Sequence, residues 1–231
     1  IALYSSGASA ELTNQGILDT VINRFGQKAS VWKDIILNAA TWLFWTLGTI
    51  SLAWTGAQMM LRKADIGEFF AEFIKFIMFF GFFLWLLRNG PDFAMAIINS
   101  LSTLAQKASN TSVITPSTIV DLGFMIWKRA VTGLSVWSPV DSFTGLILSG
   151  GVLVILAIVA INMLLLFVSA WILVYAGIFF LGFGGSRWTS DMAINYYKTV
   201  LGLATQIFTM ILVIGIGNDL LIEFYNKMSK G

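Results

Sequence analysis

From Ser142 to Ser186 the chain carries no Asp, Glu, Lys or Arg. In water such a stretch has no polar face to offer. As one helix it would be about 67 Å long at ~1.5 Å per residue, whereas ~20 apolar residues already cross a hydrocarbon core about 30 Å thick. The stretch is therefore read as membrane-embedded. Two spans fit it: Asn162 is the best internal turn, and the arms 143–161 and 163–181 would each be about 28 Å long. A single long helix projecting from the membrane is the alternative. The rest of the chain agrees with a membrane reading, because 57% of residues are hydrophobic and only 11% charged, against about 25% charged in a soluble domain.

The same composition removes whole classes of chemistry. Cysteine and histidine are both absent, so there is no disulfide framework, thiol nucleophile or thiolate metal site, and no imidazole base or ligand. A net charge of +2 does not by itself imply a nucleic-acid partner. No catalytic, cofactor-binding or metal-ligating residue is assigned, and no cofactor is expected. Ala8-Ser9-Ala10 has the small-x-small form of a signal-peptidase site, which points to an N-terminus outside the cytoplasm.

The segments read as follows. Residues 1–37 form an N-terminal amphipathic segment, with Ile17, Val21, Phe25 and Trp32 among its apolar positions at helical spacing. Such a helix lies on a membrane surface or packs on a partner or on its own protein. Residues 38–87 hold two spans, 38–61 and 69–87. The first carries a stripe of Gly48, Ser51, Thr55 and Gln58 at offsets of three, four and three. Small and hydroxyl residues at that spacing let helices approach closely, so the stripe faces protein rather than lipid. Trp54 on the same helix lies too deep for an interfacial anchor. The second span is ringed with phenylalanine from Phe69 to Phe83, as expected for lipid contact and helix packing.

Residues 88–141 form an extramembrane loop with two amphipathic helices. Asn89-Gly90-Pro91-Asp92 breaks the second span and starts a helix. Thr115-Pro116 is an N-cap with proline at the first helical position, and Trp137-Ser138-Pro139 closes the second helix. Residues 142–231 hold spans three to five, with an interfacial turn over 182–191. In that turn Arg187 snorkels and Trp188 sits at the interface. The glycine run before Arg187 could cradle an anion, but it lacks the Walker lysine and any preceding strand. Glu72 and Lys75 have the offset of a local ion pair, and Glu68 and Asp219 lie near span ends. Counting charges does not decide orientation: the raw count of basic residues and their density per segment disagree.

The fold class is thus all-α: a polytopic helical membrane protein of about five transmembrane helices plus amphipathic extramembrane helices. The segment LGFGGSRWTSDMAINYYKTVLG (181–202) resembles the signature stretch of the TrbL family, polytopic inner-membrane subunits of conjugative type IV secretion systems. LLRNGPDFAMAIINSL (86–101) and LTNQGILDTVINRF (12–25) are similar to the same family. The resemblance implies a multi-pass bacterial inner-membrane protein with a periplasmic N-terminus. It also implies a homo-oligomeric ring (a pentamer) working with other inner-membrane and pilus subunits, and with lipid. A role in pilus biogenesis and DNA–protein translocation, with transient contact to the substrate and no catalysis, would follow. Asn89, Pro91, Gly184, Gly185, Arg187 and Trp188 are the expected oligomer or partner contacts. A secondary transporter or ion channel is the alternative from another class.

Overall fold

The computed structural model describes residues 16–62, 65–109, 115–132 and 139–230. Ala8-Ser9-Ala10 and Trp137-Ser138 lie outside the described residues. Among the described residues there is no strand. The α-helices are α1 (Ile17–Ser30), α2 (Trp32–Leu61), α3 (Ile66–Arg88), α4 (Gly90–Ala108), α5 (Pro116–Thr132), α6 (Pro139–Ala176) and α7 (Ser190–Lys230). A nine-residue 3₁₀ segment, Gly177–Gly185, joins α6 to α7.

Local chemistry sets most of these boundaries. Gly16 has a φ of +82°, the left-handed region that glycine enters without a Cβ penalty, and its carbonyl accepts the Thr20 N–H. Asp65 caps α3, its carboxylate accepting the Ile66 N–H at 2.8 Å. Thr115 and Thr118 cap α5 reciprocally: the Thr115 hydroxyl accepts the Thr118 N–H at 3.3 Å and the Thr118 hydroxyl accepts the Thr115 N–H at 3.0 Å. This is a capping box with threonine in the third helical position, ahead of Pro116 as the spacing predicts. Asn89 separates α3 from α4, and its amide donates back to the Trp85 carbonyl at 2.9 Å.

One expectation is overturned. Helix α6 runs unbroken for 38 residues, so there is no turn at Asn162. Four helical stretches among the described residues are long and apolar enough to cross a membrane, Ile17–Leu61, Ile66–Arg88, Thr144–Gly185 and Ser190–Gly217, where five spans were expected. The physical reason is the lack of a breaker: between Val152 and Ala176 there is neither Gly nor Pro. One asparagine costs a helix no more than about 0.7 kcal/mol. Pro139, expected to close the preceding helix, instead opens α6.

Over the described residues the chain divides into two compact units, one within Ile1–Val21 and Thr115–Ile161, the other within Ile22–Ile114 and Asn162–Gly231. In the first, α5 lies on the early part of α6. Gly123 faces Leu153 and Leu156, and Gly150 faces the Trp127 ring. The Ser117 hydroxyl accepts the Asp19 N–H at 3.2 Å.

The second unit is built around the 3₁₀ segment. It packs most extensively on α2, then on α7 and α3, while α4 lies along α7. Ile178, Leu181, Phe44, Leu87, Ile207 and Ile211 are almost wholly enclosed there. Two phenols tie helix ends together, Tyr196 donating to the Val174 carbonyl at 3.4 Å and Tyr197 to the Leu86 carbonyl at 3.5 Å. Outward faces remain apolar: Ile35 and Trp42 are each 70% exposed and Ile216 65%. A water-soluble surface rarely leaves so much apolar area uncovered.

Candidate functional site

A polar cleft forms where the α2–α3 turn meets the end of the 3₁₀ segment. It begins in the glycine-rich run. The spacing predicts an interfacial turn over 182–191, yet only Ser186–Thr189 turns. Gly182, Gly184 and Gly185 belong to the buried segment. A Cβ on Gly182 would lie 2.6 Å from the Ala40 carbonyl oxygen, one on Gly185 would strike the Phe44 carbonyl, and one on Gly184 the Phe83 ring. The glycines thus let two backbones touch, and they leave no room for an anion. A 3₁₀ stretch this long is uncommon, and here the enclosing helices hold it.

This close approach delivers Arg187 and Trp188 to specific neighbours. The Arg187 guanidinium lies 3.6 Å from Glu72 on α3 and 5.9 Å from the centre of the Phe79 ring. Glu72 also accepts from Lys75 at 2.9 Å, the local pair expected from their spacing. Trp188 meets Trp54 edge to face with ring centres 5.8 Å apart. That contact accounts for a tryptophan that interfacial anchoring did not explain. Neither link was visible in the sequence, because the partners are remote in the chain and no local pattern joins them.

The stripe on α2 leads into the same place. Gly48 and Ser51 are buried, with the Phe80 ring over Gly48; Thr55 is half-buried and Gln58 exposed. Below Ser51 the helices part, leaving a cavity of about 270 Å³. Its α2 wall is Ser51, Trp54, Thr55, Gln58, Met59 and Arg62. Glu68 and Glu72 of α3 face it, and Arg187 and Trp188 close it. The wall therefore carries two cations and two carboxylates. Glu72 and Arg187 pair with each other, whereas Arg62 and Glu68 make no ion pair among the described residues.

The remaining expected contact residues are split by burial. Asn89 is exposed beside the α3–α4 junction, and Pro91 is enclosed by its own chain. Near it Lys33 reaches Asp92 at 3.7 Å. Of the six, Asn89, Arg187 and Trp188 present surface, while Pro91, Gly184 and Gly185 do not. Among the described residues no group of three or more acidic side chains could hold a metal ion.

No solved structure matches this chain. Among curated proteins it is 30% identical over 213 residues to "Probable conjugal transfer protein TrbL" of Sinorhizobium fredii (strain NBRC 101917 / NGR234), covering 91% of this chain and 54% of that protein. It is 28% identical over 221 residues to "Conjugal transfer protein TrbL" of Rhizobium radiobacter, covering 93% of this chain and 55% of that one. The chain thus spans about half the length of the curated relatives it matches. The family model for the TrbL/VirB6 plasmid conjugal transfer protein matches residues 48–231, which takes in α3 to α7, the glycine run and the cleft. The chain belongs to the TrbL/VirB6 family of plasmid conjugal transfer proteins.

Proposed function

We propose that the chain is a non-enzymatic subunit of the inner-membrane channel or assembly platform of a conjugative type IV secretion system. It supports pilus biogenesis and the passage of a DNA–protein substrate. Copies of the chain assemble into a ring, with residues 88–141 and the N-terminal segment on the periplasmic side. Asn89, Arg187 and Trp188 lie on contact surface, and Pro91, Gly184 and Gly185 act by holding them in place.

The observation that carries this reading is apolar surface on helices too polar to cross the bilayer. On α4, Phe93 and Leu104 are exposed, and on α5, Phe124 and Met125 are exposed. Such faces are covered either by a membrane surface or by protein; in this reading neighbouring copies cover them. Chemical cross-linking in native membranes is expected to give a ladder of self-adducts up to the ring size. A strictly monomeric product would sink the reading.

The 3₁₀ break between α6 and α7 is a feature that a transporter could share, since broken helices often build substrate sites. Here the break is packed shut by α2 and α3 rather than opened onto a midplane cavity. Substrate-dependent flux through the purified protein in liposomes would reverse that judgement.

A further inference from the structure

We infer that the cleft between α2, α3 and Arg187-Trp188 binds the phosphate-plus-ammonium headgroup of an aminophospholipid of the phosphatidylethanolamine type. Its position comes first. Arg62 follows the last residue of the apolar helix α2, and Glu68 stands in the first turn of the apolar helix α3. Both therefore lie at the depth where a bilayer carries its headgroups. Trp188, in the turn after the 3₁₀ segment, closes the cleft, and indole is favoured at that depth.

Size and charge then select the occupant. A cavity of about 270 Å³, many times the ~10–15 Å³ that one water needs on the same measure, suits a small headgroup and excludes a folded segment. Glu72 is already engaged by Lys75 and Arg187. That leaves Arg62 and Glu68, which have no ion-pair partner among the described residues. They form a cation and an anion on opposite walls of one pocket. A phosphate answers the guanidinium bidentately, and a primary ammonium gives Glu68 charge-assisted donors. An anionic lipid with a glycerol head would satisfy Arg62 and leave Glu68 facing more negative charge. The hydroxyl of Thr55 and the amide of Gln58 add hydrogen-bonding groups along the α2 wall.

The test uses the whole chain in nanodiscs containing phosphatidylethanolamine and phosphatidylglycerol in equal amounts, with retained lipid read by native mass spectrometry. The wild type is expected to keep phosphatidylethanolamine in preference by about fivefold, the scale of one partly exposed charge pair. Glu68→Gln should abolish that preference while leaving total lipid retention intact. Arg62→Gln should weaken retention of both lipids. Both positions are exposed and make no ion pair among the described residues, so the variants are expected to elute in size-exclusion chromatography like the wild type. Equal retention of the two lipids by the wild type, or an unchanged preference in Glu68→Gln, overturns the proposal. Displacement of the lipid by soluble glycerophosphoethanolamine at equal concentration would assign the pocket to a soluble phosphoamine and overturn it too.

Discussion

At the residue scale the glycines of the 3₁₀ segment are not interchangeable with those that face open space, such as Gly56, Gly81 and Gly202. Gly185→Ala places a methyl group against the backbone of Phe44, which cannot rotate away. The cost is expected to be about 2 kcal/mol, in the range for overpacking a filled core, read as a lower melting temperature in detergent. Gly202 on α7 has open space where its Cβ would go, so Gly202→Ala should instead stabilise by about 0.5–1 kcal/mol through helix propensity. Gly184→Leu must displace Phe83 and should lower the yield of cross-linked self-adducts along with stability. The glycine run and the Arg187-Trp188 pair are plain in the sequence. What they meet is not. Tyr197 and its acceptor Leu86 stand 111 residues apart, and Arg187 and Glu72 are similarly remote. No periodicity encodes such pairings, because burial against a distant helix is decided by the whole packing.

At the scale of elements, starts and stops were the legible part, since a cap needs only its neighbours. Thr115-Pro116 opens α5 and Asn89-Gly90-Pro91 opens α4, both where the residues pointed. Removing the Thr115 hydroxyl leaves the Thr118 N–H without its acceptor. Thr115→Ala is expected to cost about 1 kcal/mol. The change should appear as roughly fivefold faster hydrogen exchange confined to the first turn of α5. The turn at Asn162 was misjudged for a complementary reason. The length of the uncharged stretch argued for two spans, but length alone does not break a helix. An interruption needs residues that relinquish helical hydrogen bonds, and beyond Gly151 neither Gly nor Pro occurs until Gly177–Gly185.

For the molecule as a whole, four helical stretches among the described residues are long and apolar enough to cross a membrane. If each crosses once, the end of α7 is expected on the side from which α2 departs. The chain contains no cysteine, so single cysteines can be introduced without background. Cysteines at Ser30 and Asp219 should be labelled by an impermeant maleimide from one side of a vesicle, and one at Arg62 from the other. Opposite-side labelling of the first two would restore an odd count. The manner in which α2 is filled also imposes an order in time. The Ala40–Ser51 face of α2 leaves the ribosome long before Gly177–Gly185 exists to cover it. At ~5–20 residues per second that interval is on the order of ten seconds. Until then lipid must wet the waiting groove, and the last quarter of the polypeptide has to evict it. A product halted before Gly177 therefore inserts but cannot lock, which makes it natural prey for membrane proteases.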